Sequence, residues 1–466
     1  MRVSIDTNGM LADLQARLSR AADRDARTLI SATVPVDDVD PCAAIFASRL
    51  ASDRWFCWEQ PDRGFALAGV GSALDIVSRG TGRFAEVAAE CIGATRDRSD
   101  DVGEALPAGA GPVWTGGFAF ADNGAGSPTW SSFPPASMVM PELSICRDGE
   151  DAYLTVNAAV APGRDAGDAL DRLRARLTGL RAEPLPMLDP LRIGRTEIES
   201  VRTPGEFESA VATAVGRIRG GALEKVVLAR EVLLRAPGAY DSAAVFGALR
   251  ELFPACFCFC CGTPEAAFLG ASPELLVRRS GAGVSTVALA GSARRSSDPS
   301  VDDHLGERLL QSSKDRGEHA IVVRRIVRSL RRHAVWVEEG HEPELIKVAN
   351  IQHLATPIHA QLAEPRSAIE LAGMLHPTPA VGGEPWPAAG ELIDELEGMD
   401  RGWYAGPVGW MDGTEDGEFC VGLRSALLRD REAHLYAGVG VVAGSDPAAE
   451  LDETEIKLQA LLPLLA

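Results

Sequence analysis

Lys225-Val226-Val227-Leu228-Ala229-Arg230-Glu231-Val232-Leu233-Leu234 is an almost unbroken apolar run and reads as a strand. What surrounds it decides the fold class. Upstream, Thr203-Pro204-Gly205-Glu206 opens a helix, with Thr203 as N-cap and Pro204 in the first turn, and the periodic pattern continues to about Arg219. Downstream come a helix near Ser242–Leu252, an alternating strand at Cys256–Cys261 (CFCFCC), and strands at Ala267–Leu269, Leu275–Arg278 and Thr286–Leu289. A long helix is expected from about Val301 to His333, strands again between Val408 and Val442, and a last helix from about Pro447 to Leu465. Before residue 200 the chain reads as strands and a few helices joined by loops rich in Gly and Pro. Strands are expected at Trp55–Trp58 and Leu67–Val70, a strand and loop at Trp114–Phe120, a loop over Asp122–Pro135, and a break at Pro184–Pro190. Irregular alternation of strands and helices, without an internal repeat, implies an α+β protein with mainly antiparallel sheets rather than βαβ winding.

The 466 residues carry 46 Lys and Arg against 66 Asp and Glu, a formal charge of −20. A field of that sign repels polyanions, so a nucleic-acid binder or a protein of anionic membranes is excluded on electrostatic grounds. A small anion responds to a local basic pocket and stays open. With 46% hydrophobic and 24% charged residues, a large soluble core is expected. Met1–Asp6 lacks the basic-then-apolar pattern of a signal peptide, and no apolar run reaches membrane-spanning length. Nine cysteines form an odd, scattered set, which points to a reducing cytoplasm rather than a disulfide framework. The crowd at Cys256–Cys261 has no distant partner pair of the kind zinc sites use. Its alternation puts Cys256, Cys258 and Cys260 on one strand face and Phe257 and Phe259 on the other, as small apolar core residues.

Two acidic clusters have helical spacing. Asp315 and Glu318 are three apart in SKDRGEH, and Glu450, Glu453 and Lys457 share one face of the final helix, whose N-cap is Asp446. Converging from distant sequence, two such pairs make a hard-cation site suited to Mg²⁺; the same spacing also describes a solvated face with ordinary ion pairs. Lys225, at the head of its apolar strand, is either a base with a pKa lowered by a dry setting or a strand-edge lysine reaching solvent. Glu274, where a Pro-interrupted strand turns, is a protonated acid if it faces a cavity and otherwise a surface carboxylate. Gly438-Val439-Gly440 does not open a helix and has no acidic residue at the dinucleotide-binding distance, so bare backbone N–H groups offered to an anion are the better reading.

Ten segments in order resemble the chorismate-utilising enzymes, the family of isochorismate synthase, salicylate synthase and the large subunits of anthranilate and aminodeoxychorismate synthase. They are KVVLAR (Lys225–Arg230), GASPELL (Gly270–Leu276), TVALAGS (Thr286–Ser292), SKDRGEH (Ser313–His319), VANIQHL (Val348–Leu354), HPTPAVGG (His376–Gly383), DRGWYAGPVGW (Asp400–Trp410), VGLRSALL (Val421–Leu428), YAGVGVV (Tyr436–Val442) and DETEIK (Asp452–Lys457). Trp55–Gly71 and Gly116–Phe120 match more loosely and resemble the isochorismate synthase branch. The resemblance implies one large unit of two antiparallel sheets packed face to face with helices outside. Within it, residues 1–195 are a divergent part of the same domain and 196–466 the chorismate-binding catalytic region. It further implies Lys225 as the base activating water and Glu274 as the acid. It makes Glu318 and Glu453 Mg²⁺ ligands, with Asp315 and Glu450 behind them or bonded through water. Tyr404, Arg424, Lys457, Gly438 and Gly440 would hold the substrate carboxylates, with Gly291 and His353 beside them.

Within the family, ammonia users resemble one another in carrying Gln where this chain has Lys225. Aminodeoxychorismate synthases often have a nucleophilic Lys where this chain has Ala290, and salicylate synthases have Thr where it has Ala380. The resemblance therefore implies water addition to chorismate that stops at isochorismate, for a siderophore, menaquinone or another pathway; a monomer is the default expectation. The alternatives are added pyruvate elimination or use of ammonia. Ser292 stands where Thr is usual and keeps the hydroxyl.

Overall fold

The computed structural model describes residues 7–22, 27–96, 106–161, 166–189 and 194–466. Met1–Asp6 and Pro190, the last residue of the expected break, lie outside them. Among the described residues the strands form a twelve-stranded and a ten-stranded sheet, in which all pairs are antiparallel. The larger runs from Thr28–Val36 at one edge, through Trp55–Gln60 and Phe257–Gly262, to Glu432–Val441, Lys225–Arg235 and the two-residue strand Gly383–Glu384. The smaller runs from Ala334–Glu339 through Ile351–Leu362, Gly283–Arg294 and Leu275–Ser280 to Leu74–Ser78. Strands from both ends of the chain meet directly: Trp55–Gln60 pairs with Phe257–Gly262, and Val113–Phe118 with Pro407–Asp412.

Apolar side chains from both sheets share one core. Trp58, Phe259 and Phe268 come from the larger sheet, and Phe118, Met138 and Trp410 from the smaller. Phe65 stacks on Trp410 across the interface, 5.5 Å between ring centres. A second core lies on the other face of the larger sheet, where Met10, Leu14, Ile45, Leu173 and Phe246 from four helices cover it. The CFCFCC alternation sorts as read: Cys256, Cys258 and Cys260 enter this second core, Phe257 and Phe259 the inter-sheet core. A slip of one residue would exchange sulfurs for rings along the whole segment, which is how the pattern specifies register. All nine cysteines are free and buried. Among the described residues no helix is long and apolar enough to cross a membrane.

Two helix boundaries differ from expectation. The span Val301–His333 is two helices, Pro299–Gln311 and Ser313–Arg331, because Ser312 is extended and accepts from Asp315 N–H as an N-cap. The last helix stops at Leu458, and a separate turn of helix covers Leu462–Leu465. The helix Pro204–Arg219 begins at the N-cap Thr203 with Pro204 in its first turn, as its sequence predicts, and Glu206 completes a capping box.

Candidate active site

The chain crosses from the larger to the smaller sheet at Ser272-Pro273-Glu274, between strands Ala267–Ser272 and Leu275–Ser280. The crossover is fixed by a short relay. Ser272 Oγ donates to Val421 O at 2.6 Å, Val421 N–H to Glu274 O at 3.0 Å, and Glu274 N–H to Ser272 Oγ at 3.3 Å. Glu274 thereby faces the cleft between the sheets, in the wall of a cavity of about 700 Å³, mouth included. The same wall holds Gly291, Glu318, His353, Ala380, Tyr404, Arg424, Gly438, Gly440, Glu453 and Lys457. Lys225, Asp315 and Glu450 stand behind it.

Lys225 is fully buried, its Nζ 2.9 Å from Glu318 Oε1 in an ion pair that lacks the alignment of a hydrogen bond. The solvent-reaching alternative for this lysine is thereby removed. Glu318, from helix Ser313–Arg331, lies against the strand Glu432–Val441. A methyl on Gly440 would stand 2.0 Å from Glu318 Oε1 and 2.9 Å from Lys225 Cε, so the bare glycine makes room for both groups. Gly291 occupies a bulge, at φ +77, where pairing with Ile351–Leu362 shifts between Ala290 and Ser292. A side chain there would press on Asp315 at 3.1 Å. In helix Pro447–Leu458, Glu453 Oε1 meets Lys457 Nζ at 2.6 Å and Lys457 also donates to Gly438 O at 2.9 Å, while Lys314 Nζ, from helix Ser313–Arg331, donates to Glu450 Oε1 at 2.8 Å.

Burial pushes the Glu274 carboxyl up to about 8, and the nearby Lys225 and Lys457 ammonium groups and a hydrogen bond from Thr378 offset this only in part. At neutral pH it is mostly protonated. Glu453 goes the other way: burial raises it, but Lys457 and a hydrogen bond from Ser292 hold it below the usual range. Asp315 is raised by burial, with Glu318 adding repulsion, and Glu450 by burial and then by Glu453. The four carboxylates therefore sense one another across the two helices. As placed, no three His, Cys, Asp or Glu side chains among the described residues gather closely enough to hold an ion unaided; three of these carboxylates are each held by a lysine.

His353 is kept neutral first by burial and then by Arg424 and Lys457. Its Nδ1–H points to Gly291 O at 3.2 Å, leaving Nε2 to accept from Arg424 Nη2 at 3.0 Å. Arg424 is held at φ +47 and, among the described residues, makes no ion pair with a carboxylate. Burial lowers its pKa. A buried guanidinium braced only by a neutral imidazole is a receptor for an anion. Tyr404 stacks on Tyr436, 5.1 Å between centres, with burial raising its phenol so that it stays a donor. Sequence reasoning assigned no role to Thr378, which bonds Glu274, or to the wall residue Arg401, although both lie inside quoted motifs.

A family described as "Chorismate binding enzyme" matches residues 16–466. The salicylate biosynthesis isochorismate synthase of Pseudomonas aeruginosa is 36% identical over 453 residues, 96% of this chain and 92% of that protein. Isochorismate synthase MenF of Bacillus subtilis is 32% identical over 453 residues, 96% of each. The solved structure of MenF, the menaquinone-specific isochorismate synthase from Escherichia coli, superposes with a TM-score of 0.78 at 26% identity, covering 98% of this chain and 100% of that one. With its two antiparallel sheets, its cavity and a match over nearly its whole length, the chain belongs to the chorismate-binding enzyme family.

Proposed function

We propose that the protein is an isochorismate synthase, converting chorismate to isochorismate by adding water at ring C2 and expelling the C4 hydroxyl. The observation that carries this is the pairing of a buried protonated acid, Glu274, with a buried lysine, Lys225, near enough to lower the acid's pKa. Lys225, the ammonium partner of Glu318 in the resting site, acts once it has released that proton to solvent: its neutral amine takes a proton from water as the water oxygen bonds to C2. The ring electrons shift, and the C4 hydroxyl leaves with the proton of Glu274. One water enters and one leaves, so the product is an isomer. Hydroxide is a poor leaving group, and a positioned acid is the group the reaction needs. Arg424, oriented by neutral His353, and Lys457 bind the carboxylates, with Tyr404 as a neutral donor.

Charge balance supports a divalent cation. Lys225, Lys314, Lys457 and Arg424 offset Asp315, Glu318, Glu450 and Glu453 in formal charge, while Glu274 is mostly protonated. A dianionic substrate then adds two uncompensated charges to a buried cavity, which is costly. Oxygen-only donors suit Mg²⁺, with Glu318 and Glu453 on the cavity wall as its holders and Asp315 and Glu450 behind. Bound there, Mg²⁺ would supply electrostatic stabilisation of the substrate carboxylate. The test is incubation with chorismate and Mg²⁺, with and without ammonium, and mass-resolved product analysis. Isochorismate alone is expected, and excess EDTA should abolish turnover until Mg²⁺ is restored. Salicylate with pyruvate, or an ammonium-dependent aminated product, overturns the reading.

A smaller change probes the same spot. Gly440→Ala forces the Glu318 carboxylate off its seat, and kcat/KM is expected to fall at least about tenfold, since misplacement by ~1 Å at a reacting centre costs up to ~100-fold. Gly444→Ala, with nothing within 4 Å of the added methyl, is the control and should retain wild-type rates in the same assay.

A further inference from the structure

One edge of strand Lys225–Arg235 pairs with Glu432–Val441 along nearly its whole length. The other edge is covered in pieces. Gly383–Glu384 pairs with Val226 and Lys225, and Val227 N–H reaches Gly382 O at 2.8 Å. Further on, Val201 N–H donates to Glu231 O at 3.1 Å, and Glu197–Ser200 pairs with Val232–Arg235. Between the two short strands, two side chains take the place of a backbone partner. Arg401 Nη2 donates to Val227 O at 2.9 Å, and Glu397 Oε1 accepts from Ala229 N–H at 2.7 Å. Arg401 Nε donates to Glu397 Oε2 at 2.8 Å, with a further contact between Nη2 and Oε1. Arg401 Nη1 reaches Val381 O at 2.8 Å, and the guanidinium lies over the Phe120 ring, 4.1 Å from its centre. Arg401 is 4% exposed and Glu397 2%.

We propose that the Arg401–Glu397 pair is a positioning device for the reaction: it replaces a missing strand beside Lys225 and locks the lysine's strand to the Ala380–Val381 wall of the cavity. A buried carbonyl and amide without partners are not tolerated, so something must fill this gap. Only a planar guanidinium presents donors in a fork that serves Glu397, Val227 O and Val381 O at once; a lysine ammonium cannot span the three. Buried ion pairs are weak sources of net stability, so the geometry they impose is the better reason for this one. Val227 is two residues from Lys225 and therefore on the same strand face, and its side chain lines the cavity. Any relaxation of the strand here moves the base relative to the substrate. The inference rests on the chorismate reading given above.

The test uses the full chain with Arg401→Lys and Glu397→Gln, the second keeping an acceptor for Ala229 N–H while removing the charge. In Arg401→Lys, kcat is expected to fall ten- to a hundredfold with KM within threefold. Amide exchange in the 225–231 segment should rise at least tenfold, while that of strand Thr28–Val36 stays as in wild type. Glu397→Gln should fall between Arg401→Lys and wild type in both measurements. A folded Arg401→Lys with wild-type kcat and exchange, or with its loss wholly in KM, overturns the proposal. Should Arg401→Lys not fold, a Glu397→Gln enzyme with kcat within twofold of wild type overturns it equally. If the wild type makes no isochorismate, the functional reading fails, and the exchange measurement alone judges whether the pair stands in for the strand.

Discussion

Lys225→Met is expected to lower kcat for chorismate by about 10²–10⁴-fold, the range that a positioned general base contributes. Methionine has nearly the length of the lysine stem and no proton-accepting nitrogen, so the strand should keep its packing while the base is lost. The substitution has a second consequence, because Lys225 is the ion partner of Glu318 at 2.9 Å and both groups are buried. Removing one member of a buried pair costs about 3–5 kcal/mol, most of it from the charge left behind. Denaturant unfolding should therefore show Lys225→Met markedly destabilised, and Lys225→Met with Glu318→Gln should recover much of that loss without recovering activity. The two readouts separate catalysis from folding. A single variant with undiminished turnover removes Lys225 as the base; a double variant no more stable than the single one removes the ion pair as the cause of the destabilisation.

What could be read from the chain and what could not divides along the range of the interactions. Thr203-Pro204-Gly205-Glu206 carries its own N-cap and first-turn proline, and CFCFCC carries its own period, so both segments were legible locally. The break at Ser312 was not, because the helical period continues through a single extended residue, and the serine cap shows only once Asp315 N–H is seen to point at it. Helical spacing put Asp315 with Glu318 and Glu450 with Glu453, but not the two pairs near each other. That follows from helix Ser313–Arg331 packing on the smaller sheet and helix Pro447–Leu458 on the larger, so that both present carboxylates to one cavity. Lys225 and Glu274 were each left with two readings, and burial removes the solvent-facing one for both. Arg401 sits in one of the family-like motifs without a role, since its work depends on a gap in a strand whose Val227 lies 174 residues earlier. Pairing between distant segments, rather than any local pattern, is what sequence alone left open.

Glu274→Gln is expected to reduce kcat by about 10²–10⁴-fold, because the amide fills the same space and can donate a hydrogen bond but cannot release a proton to the departing hydroxyl. The size of the pKa shift turns this into a pH experiment. Burial is the largest influence on the carboxyl, and two neighbouring ammonium groups do not cancel it, which leaves the group at about 8 against an ordinary value of 4.5. Between those two pH values the folded protein holds a proton that the unfolded chain has released. The contribution of this group to stability is therefore fully present below about 4.5 and is lost as pH rises through about 8. Wild-type stability measured against Glu274→Gln should show that downward drift over the same interval. The activity of the free enzyme should fall on the same side, with kcat/KM declining above about pH 8 as the acid ionises. Both trends have one origin, the raised carboxyl, so both are expected from the same group. If Glu274→Gln turns over chorismate at the wild-type rate, the acid lies elsewhere in the cavity; if only the stability drift is missing, the carboxyl is already ionised at neutral pH and the protonated form is not the one that enters the reaction.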